Sequence, residues 1–407
     1  MKASFSAGLL ALASISATAQ PLPATVAVQF DRTSLRPVLV EGAAERDVNA
    51  GFPGPVWRSV TADDPVRIAS ISKLVTALGV MRLVDQGRLD LDRDVSDYLG
   101  YRVRHPAFSD RIITLRLLLS HQSGLIDGDD LYLIPLGVTV QERLADPRVW
   151  DSAHAPGSGW FHYTNLNFPV IASVMERVTA ERFDVLMSRL VLKPLKLDAC
   201  FNWGAGCSAG AFQRAVVLYR ASGEVARDDL HGQPPACAVF LREGTACDLS
   251  TYRPGDNGAL FSPQGGLRIS MRDLAKVGQM LARGGAGFLK PASFAALVRP
   301  QWRFNGSNGL GEDGTASGFF CAYGLAVQSL ASPQSGCHDD PFGDGRLRIG
   351  HAGDAYGLKS GLWLDPKTGR GLAFFTSAVA PDAPTGRSAF TKAEETIVER
   401  AGRTPFR

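Results

Sequence analysis

Three short groups of polar residues, far apart in the chain, have the types and spacing that acyl transfer to a serine requires. The first is Ser70-Ile71-Ser72-Lys73. On a helix, a serine three residues before a lysine puts hydroxyl and amine on one face, one turn apart. The amides of the first turn and the helix dipole then favour negative charge at the serine. An amine partly removed from water beside that hydroxyl can lose its proton and act as a base. The motif is short enough to arise by chance. The plain alternative is a capping serine with a solvated lysine.

The second group is Tyr163-Thr164-Asn165 in "GWFHYTNLNF", the one Y-x-N of the chain. A phenol near Lys73 has its ionised form favoured by the positive charge. It can then carry a proton between Ser70 and a leaving group. Asn165 has the donors and acceptor to hold Lys73 and a substrate amide. The alternative is a packing tyrosine followed by a helix-capping asparagine.

The third group must be chosen from three triplets in "GHAGDAYGLKSGLWLDPKTGR": His351-Ala352-Gly353, Lys359-Ser360-Gly361 and Lys367-Thr368-Gly369. Lys367-Thr368-Gly369 follows Asp-Pro between two apolar runs, which is turn chemistry, and reads as a hairpin tip. Lys359-Ser360-Gly361 reads as the solvent-facing start of a strand. His351-Ala352-Gly353 ends a good strand, where small residues let an extended substrate lie along the backbone. It is the expected site segment.

Elements that hold these groups can be traced along the sequence. "ATVAVQFDRTSLRPVLVEG" reads as two short strands forming a hairpin. "VRIASISKLVTALGVMRLVDQG" reads as an amphipathic helix ending near Gly87, with Ser70 at its start. "ITLRLLLSHQSGL" reads as a shorter helix stopped by Gly124, with His121, Gln122 and Ser123 in a structural turn. Two helical segments follow between about 169 and 192. Residues 200–263 are irregular except for a hairpin in "RAVVLYRASGEVAR". "SMRDLAKVGQMLARGG" is a helix capped by Ser270. Three strands near 347–353, 359–364 and 371–377 and a last helix over 388–402 complete the order.

This order predicts an α/β (α+β) protein: an antiparallel sheet flanked by helices, with a mostly helical inserted lobe. The expected division is a signal peptide over 1–19, an α/β lobe from 20–72 and 258–407, and a helical lobe over 73–257 with a cysteine-rich insertion near 200–257. The opening "MKASFSAGLLALASISATAQ" has the charge, apolar run and A-T-A site of a secretory signal cut before Gln20. No apolar run is long enough to span a membrane.

With 407 residues, 45% hydrophobic and 20% charged, the composition is ordinary for a globular protein and the chain is long enough for two or three compact lobes. A net charge of +3 without a dense basic block gives no support for nucleic-acid binding. The expected partner is a small molecule or peptide with a reactive carbonyl. No C-x-x-C or H-E-x-x-H occurs, and the scattered histidines suggest neither a metal site nor a cofactor. The six cysteines are even in number. In an oxidising compartment, nearest-neighbour pairing predicts 200–207, 237–247 and 321–337. Each bridge would add about 2–3 kcal/mol by closing its loop.

Taken together, S-x-x-K, Y-x-N and H-x-G in this order resemble the serine β-lactamase and penicillin-binding-protein-like superfamily. The likeness extends through "VRIASISKLVTALGVMRLVDQGRLDLDRDV", "ITLRLLLSHQSGLID", "FHYTNLNFPVIASVMERV", "FSPQGGLRISMRDLAKVGQML" and "IGHAGDAYGLKSGLWLDPKTGRGLAFFTSA". It covers roughly 66–197 and 260–377 and is nearest to class C β-lactamases and the D-stereospecific peptidases and esterases.

The resemblance implies a β-lactamase/transpeptidase-like fold with Ser70 as nucleophile. It makes Lys73 and Tyr163 the proton-transfer pair, and Asn165 an orienting residue. The oxyanion hole would be the backbone amides of Ser70 and Asp354, with His351, Ala352 and Gly353 binding substrate.

A histidine in the third motif is mostly neutral at pH 7 and holds a carboxylate less strongly than lysine does. Ester or D-aminoacyl peptide hydrolysis is therefore expected first, in the periplasm or outside the cell. β-Lactamase or DD-carboxypeptidase action comes second, and a non-catalytic binder of cell-wall peptides or of a protein is a further reading. The stretches 200–257 and 306–344 are longer and richer in cysteine than the family pattern. They are expected mainly as disulfide-braced surface decoration, with walls for the cleft as the alternative.

Overall fold

The structure is a computed structural model. It describes residues 23–47, 49, 51, 54–311 and 314–405, so the expected signal peptide lies outside the described residues. An eight-stranded antiparallel sheet organises the molecule. In chain order its strands are β1 (Thr25–Phe30), β2 (Leu35–Glu41), β3 (Trp302–Arg303), β4 (Ala322–Tyr323), β5 (Gln328–Leu330), β6 (Arg348–Ala355), β7 (Leu358–Asp365) and β8 (Arg370–Thr376). In space they run β3-β4-β5-β6-β7-β8-β1-β2. The N-terminal hairpin is thus added to the edge of a sheet built by the last third of the chain. β1 pairs with β8 from Thr25 opposite Thr376 to Phe30 opposite Gly371.

The period-two alternation of β1 explains why all six of its residues are buried. Val26, Val28 and Phe30 join the large core beneath one face, while Ala27 joins a smaller core on the other. The large core holds helices α1 (Ile71–Asp85), α2 (Asn167–Thr179) and α3 (Met271–Ala282). The smaller one holds α4 (Lys392–Gly402), which packs Ile397, Val398 and Ala401 on the sheet near Trp363, Leu372 and Phe374. At Gly278 of α3 a Cβ would stand 2.3 Å from Phe30 Cζ, so a glycine is what lets α3 lie against β1.

α1 departs from the sequence expectation. It is not amphipathic: every residue from Ile71 to Met81 is buried. The helix runs between the sheet and the helical part of the chain and is covered on all sides, as an all-round apolar helix must be. Gly79 marks the tightest contact, where a Cβ would lie 2.6 Å from Met187 Sδ.

The shorter helix, Leu115–Leu119, is capped by Thr114 and ends at Ser120, so the chain turns at His121 (φ +57°) before it reaches Gly124. The hairpin expected near 218–227 is present, as are the three long C-terminal strands. β3, β4 and β5, of two or three residues each, extend the sheet through a stretch read as loop.

The six cysteines form the three expected bridges, 200–207, 237–247 and 321–337. Among the described residues no helix is long and apolar enough to cross a membrane.

Candidate active site

Ser70 is delivered by a short strand and a strained turn. Val66–Arg67 pairs with Leu267–Ile269, which also pairs with Cys200–Phe201. The Ile68 amide donates to the Leu267 carbonyl at 3.1 Å. Ala69 then takes φ +49°, a left-handed conformation that costs an alanine about 1 kcal/mol and swings the chain into α1. Ser70 occupies the N-cap position, yet its side chain makes no capping bond. Its hydroxyl instead accepts a hydrogen bond from Lys73 Nζ at 3.0 Å. The plain capping role therefore does not hold.

Lys73 is fully buried. Its ammonium also donates to Asn165 Oδ1 at 2.7 Å and to the Gln264 carbonyl at 3.2 Å, and it lies 4.8 Å from the centre of the Tyr163 ring. Asn165 is held in turn by Asp127. One carboxylate oxygen of Asp127 accepts from the Asn165 amide at 3.0 Å and from Asn165 Nδ2 at 2.8 Å; the other accepts from the Leu166 amide at 2.9 Å. With Nδ2 so engaged, Asn165 must present Oδ1 to the lysine. Asp127 was missed from sequence: it is 38 residues from Asn165, and no spacing rule links the two.

Tyr163 is placed by backbone and by stacking. Phe161–His162 forms a parallel bridge to Gly309–Leu310, and the Tyr163 amide donates to the Leu310 carbonyl at 3.2 Å. The ring lies between His121 and Phe320, each with its ring centre 4.5 Å away. His121 is thus more than part of a turn. Its Nδ1 accepts from the Thr164 amide at 2.9 Å, which fixes the Y-x-N segment. Burial first, and then the charge of Lys73, hold its pKa well below the usual imidazole value, so it stays neutral.

His351-Ala352-Gly353 lies on β6, with Gly353 against the entry to α1. A Cβ there would stand 2.3 Å from the Ile68 carbonyl and 2.4 Å from Ser360 Oγ, so glycine is required for this approach. Ser360 closes the contact by donating to the same Ile68 carbonyl at 3.0 Å. His351 is buried, with Nδ1 2.6 Å from the Ala352 carbonyl and Nε2 2.7 Å from Tyr323 Oη. Burial, and after it the Lys73 charge, push its pKa down to about 3. A neutral ring then donates from Nδ1 and accepts the tyrosine hydroxyl at Nε2.

Lys367-Thr368-Gly369 sits in the turn between β7 and β8, as expected. Lys359-Ser360-Gly361 does not fit its expected place. Ser360 and Gly361 are buried, and Lys359 lies in the cleft, paired with the Asp354 carboxylate. The short link between β6 and β7 turns this strand start inward.

The structure therefore brings the expected residues together. Ser70, Tyr163, His351, Ala352, Gly353 and Asp354 line one cavity of about 320 Å³, with Lys73 and Asn165 behind them. Gly311, Ser317, Phe319 and Phe320 form its far wall. A second cavity, of about 460 Å³, is lined by Arg67, Gln264, Arg268 and Tyr356 and covered by residues 227–241. Both cysteine-rich stretches thus wall cavities, which corrects the expectation that they are mainly decoration. No motif spacing signals this: the aromatic and charged residues concerned reach the site through loops.

Residues 48–394 match the Beta-lactamase family model. The chain belongs to the β-lactamase family. Esterase EstB of Burkholderia gladioli is 27% identical over 312 residues, covering 68% of this chain and 73% of that one. D-amino acid amidase from Ochrobactrum anthropi SV3, complexed with D-phenylalanine, superposes with a TM-score of 0.62 at 18% identity, covering 94% of this chain and 93% of the amidase. A class C β-lactamase from Rhodobacter sphaeroides gives a TM-score of 0.62 at 16% identity over the same shares. These two solved structures carry the fold: a mixed α/β architecture with an antiparallel sheet and flanking helices. As a member of the β-lactamase family with an esterase relative, the chain is a hydrolase, not a bare binding module. Its three disulfides fit an oxidising environment outside the cytoplasm.

Proposed function

We propose that Ser70 attacks the carbonyl of an ester or D-aminoacyl amide and carries the acyl group as a covalent intermediate. One observation carries this reading: a fully buried lysine amine reaches Ser70 Oγ at 3.0 Å while Asn165 and the Gln264 carbonyl fix its other protons. Tyr163, whose phenolate form the Lys73 ammonium favours, takes the Ser70 proton as the bond to the carbonyl carbon forms. Tyr163 returns that proton to the leaving oxygen or nitrogen as the acyl bond breaks. Water then attacks the acyl-enzyme by the reverse route. The amides of Ser70 and Asp354 receive the oxyanion; losing one such donor costs about 10²–10³ in rate. Ala352 and Gly353 offer the β6 backbone to an extended substrate. The lobes expected over 20–72 with 258–407, and over 73–257, would face each other across this cleft.

Esters and D-aminoacyl amides are favoured over β-lactams and DD-peptides by the state of His351. It is neutral and bonded to Tyr323, so it offers no cation to a substrate carboxylate. The esterase relative and the amidase complexed with D-phenylalanine support the same choice. The N-terminal signal expected from sequence would send the enzyme to the periplasm or the medium.

Intact mass after mixing with an activated aryl ester tests the reading. A transient acyl adduct mapping to Ser70, fast ester turnover and slow penicillin loss are expected. In Ser70→Ala the adduct vanishes and turnover falls by about 10⁴-fold or more. Undiminished turnover in Ser70→Ala would remove the proposal, and penicillin loss as fast as ester turnover would move the enzyme to the lactamases.

A further inference from the structure

We infer that the second cavity is an acyl-side subsite for a carboxylate, so that the preferred substrates are esters or amides of a dicarboxylic acid cleaved at one end. This rests on the acyl-enzyme reading above and adds a substrate class to it.

Position gives the first reason. The cavity of about 460 Å³ lies beside the turn that delivers Ser70, with Arg67, three residues before the nucleophile, in its wall. Gln264, whose carbonyl holds Lys73, is in its wall. A Cβ on Gly265 would stand 3.6 Å from Arg67 Nη2 and 3.9 Å from the Ala69 carbonyl carbon, so the guanidinium is two contacts away from the residue before the nucleophile. A proton donor must sit by the leaving group, and Tyr163 lines the other cavity. The acyl chain is left with this one.

Charge gives the second. Three guanidiniums, of Arg67, Arg227 and Arg268, meet here. Asp228 is committed to Arg268, with contacts of 2.8 and 3.2 Å, and to Trp203 Nε1 at 2.8 Å. Asp229 sits at the rim beside His231. Arg67 makes no ion pair within 4 Å among the described residues, although the Asp228 carboxylate acts on it from farther away. Its one hydrogen bond is a long one, 3.4 Å to Ser262 Oγ, and its Nε is buried without a partner. Arg67 and Arg227 each rest 5.1 Å from the centre of the Tyr356 ring, and Arg227 Nη2 also donates to Tyr356 Oη at 3.3 Å. Burial, and then repulsion from Arg268, lower the Arg67 pKa to about 10 against the opposing pull of Tyr356 and Asp228. A planar carboxylate is the ligand that a guanidinium fork fits best. The Gln264 side-chain oxygen, buried and unbonded in the same wall, would take an N–H or O–H carried on the acyl chain.

The test compares mono-aryl glutarate with aryl pentanoate, which share a leaving group and a chain length but differ by one carboxylate. With the full chain at low salt, kcat/KM is expected to favour glutarate by about 10- to 100-fold, the range of a charged hydrogen bond. The advantage should shrink as salt rises and fall toward unity in Arg67→Met, with folding checked by circular dichroism. Equal kcat/KM for both esters in the unaltered enzyme overturns the subsite and leaves the acyl-enzyme reading standing. So does a preference undiminished in folded Arg67→Met. Hydrolysis of neither ester, without an adduct on Ser70, removes the acyl-enzyme reading and the subsite with it. Should Arg67→Met fail to fold, the preference of the unaltered enzyme and its salt dependence still decide.

Discussion

The cavity that Ser70 lines and the one behind Arg67 are built by different means. The first sets its reacting groups on the start of α1, the strand β6 and the turn entering α2, with neutral aromatic and imidazole rings packed around Tyr163 and a loop wall at 311–320. The second is covered by residues 227–241, a stretch that is largely irregular and tied by Cys237–Cys247, over a floor of charged side chains. Proton transfer needs fixed distances, and packed helices and strands supply them. Choice of substrate tolerates a wall that is only tethered. The difference suggests that chemistry and specificity can be damaged separately in this enzyme.

Tyr163→Phe should break that separation most clearly. It keeps the stack between His121 and Phe320 and removes only the hydroxyl, so kcat should drop by about 10²- to 10⁴-fold, with a melting point near that of the parent by calorimetry. A large loss of stability instead would mean that the phenol is structural.

Asp127→Asn ranks next. It places an amide against the Asn165 donors, frees Asn165 Oδ1 from its fixed direction and loosens the hold on Lys73. The expected cost is about 1–3 kcal/mol in stability by denaturant titration. A fall of about tenfold or more in kcat, with KM little changed, would accompany it.

Opening the two bridges one at a time sharpens the comparison. Cys237→Ser with Cys247→Ser should change the ranking of acyl groups by a few-fold and leave leaving-group sensitivity intact. Cys321→Ser with Cys337→Ser should do the reverse, because Cys321 lies between Phe320, which stacks on Tyr163, and Tyr323, which binds His351. Equal effects of the two pairs on both rankings would contradict the division.

Acid sensitivity tests the packing around the first cavity. His351 titrates near 6.5 when unfolded and at about 3 in the folded protein. The unfolded chain therefore binds the proton first. Its contribution to stability is complete above pH 6.5 and is lost as pH falls from there toward 3, by at most about 1.4 kcal/mol per unit. His121, depressed in the same direction, adds to this. Thermal melts from pH 7 to pH 4 should show the decline, and His351→Gln should flatten it. A slope untouched by that substitution would place the acid sensitivity elsewhere.

What could be read from sequence was what local spacing controls. Ser70 and Lys73 are one turn apart, Tyr163 and Asn165 share a loop, and each cysteine pair brackets a short loop. Long C-terminal strands and capped helices also follow from period and end signals. Asp127, Tyr323, Gln264 and Arg67 escaped notice because each acts on a residue or cavity it reaches only through tertiary folding. Lys359 was misjudged because the short turn at Tyr356 (φ +56°) folds the start of β7 back into the cleft. α1 was misjudged because its face away from the sheet is covered by a helical part whose packing leaves no periodic trace in α1 itself.

The hydroxyls of Thr25 and Thr376 meet at 2.9 Å across 351 residues of chain. β1 therefore waits through 351 further residues before its second neighbour exists. Until then, an apolar ribbon is exposed to whatever else is nearby. Docking of this ribbon closes a very long loop, so refolding should finish with a slow step sensitive to protein concentration and helped by chaperones that cover bare strands.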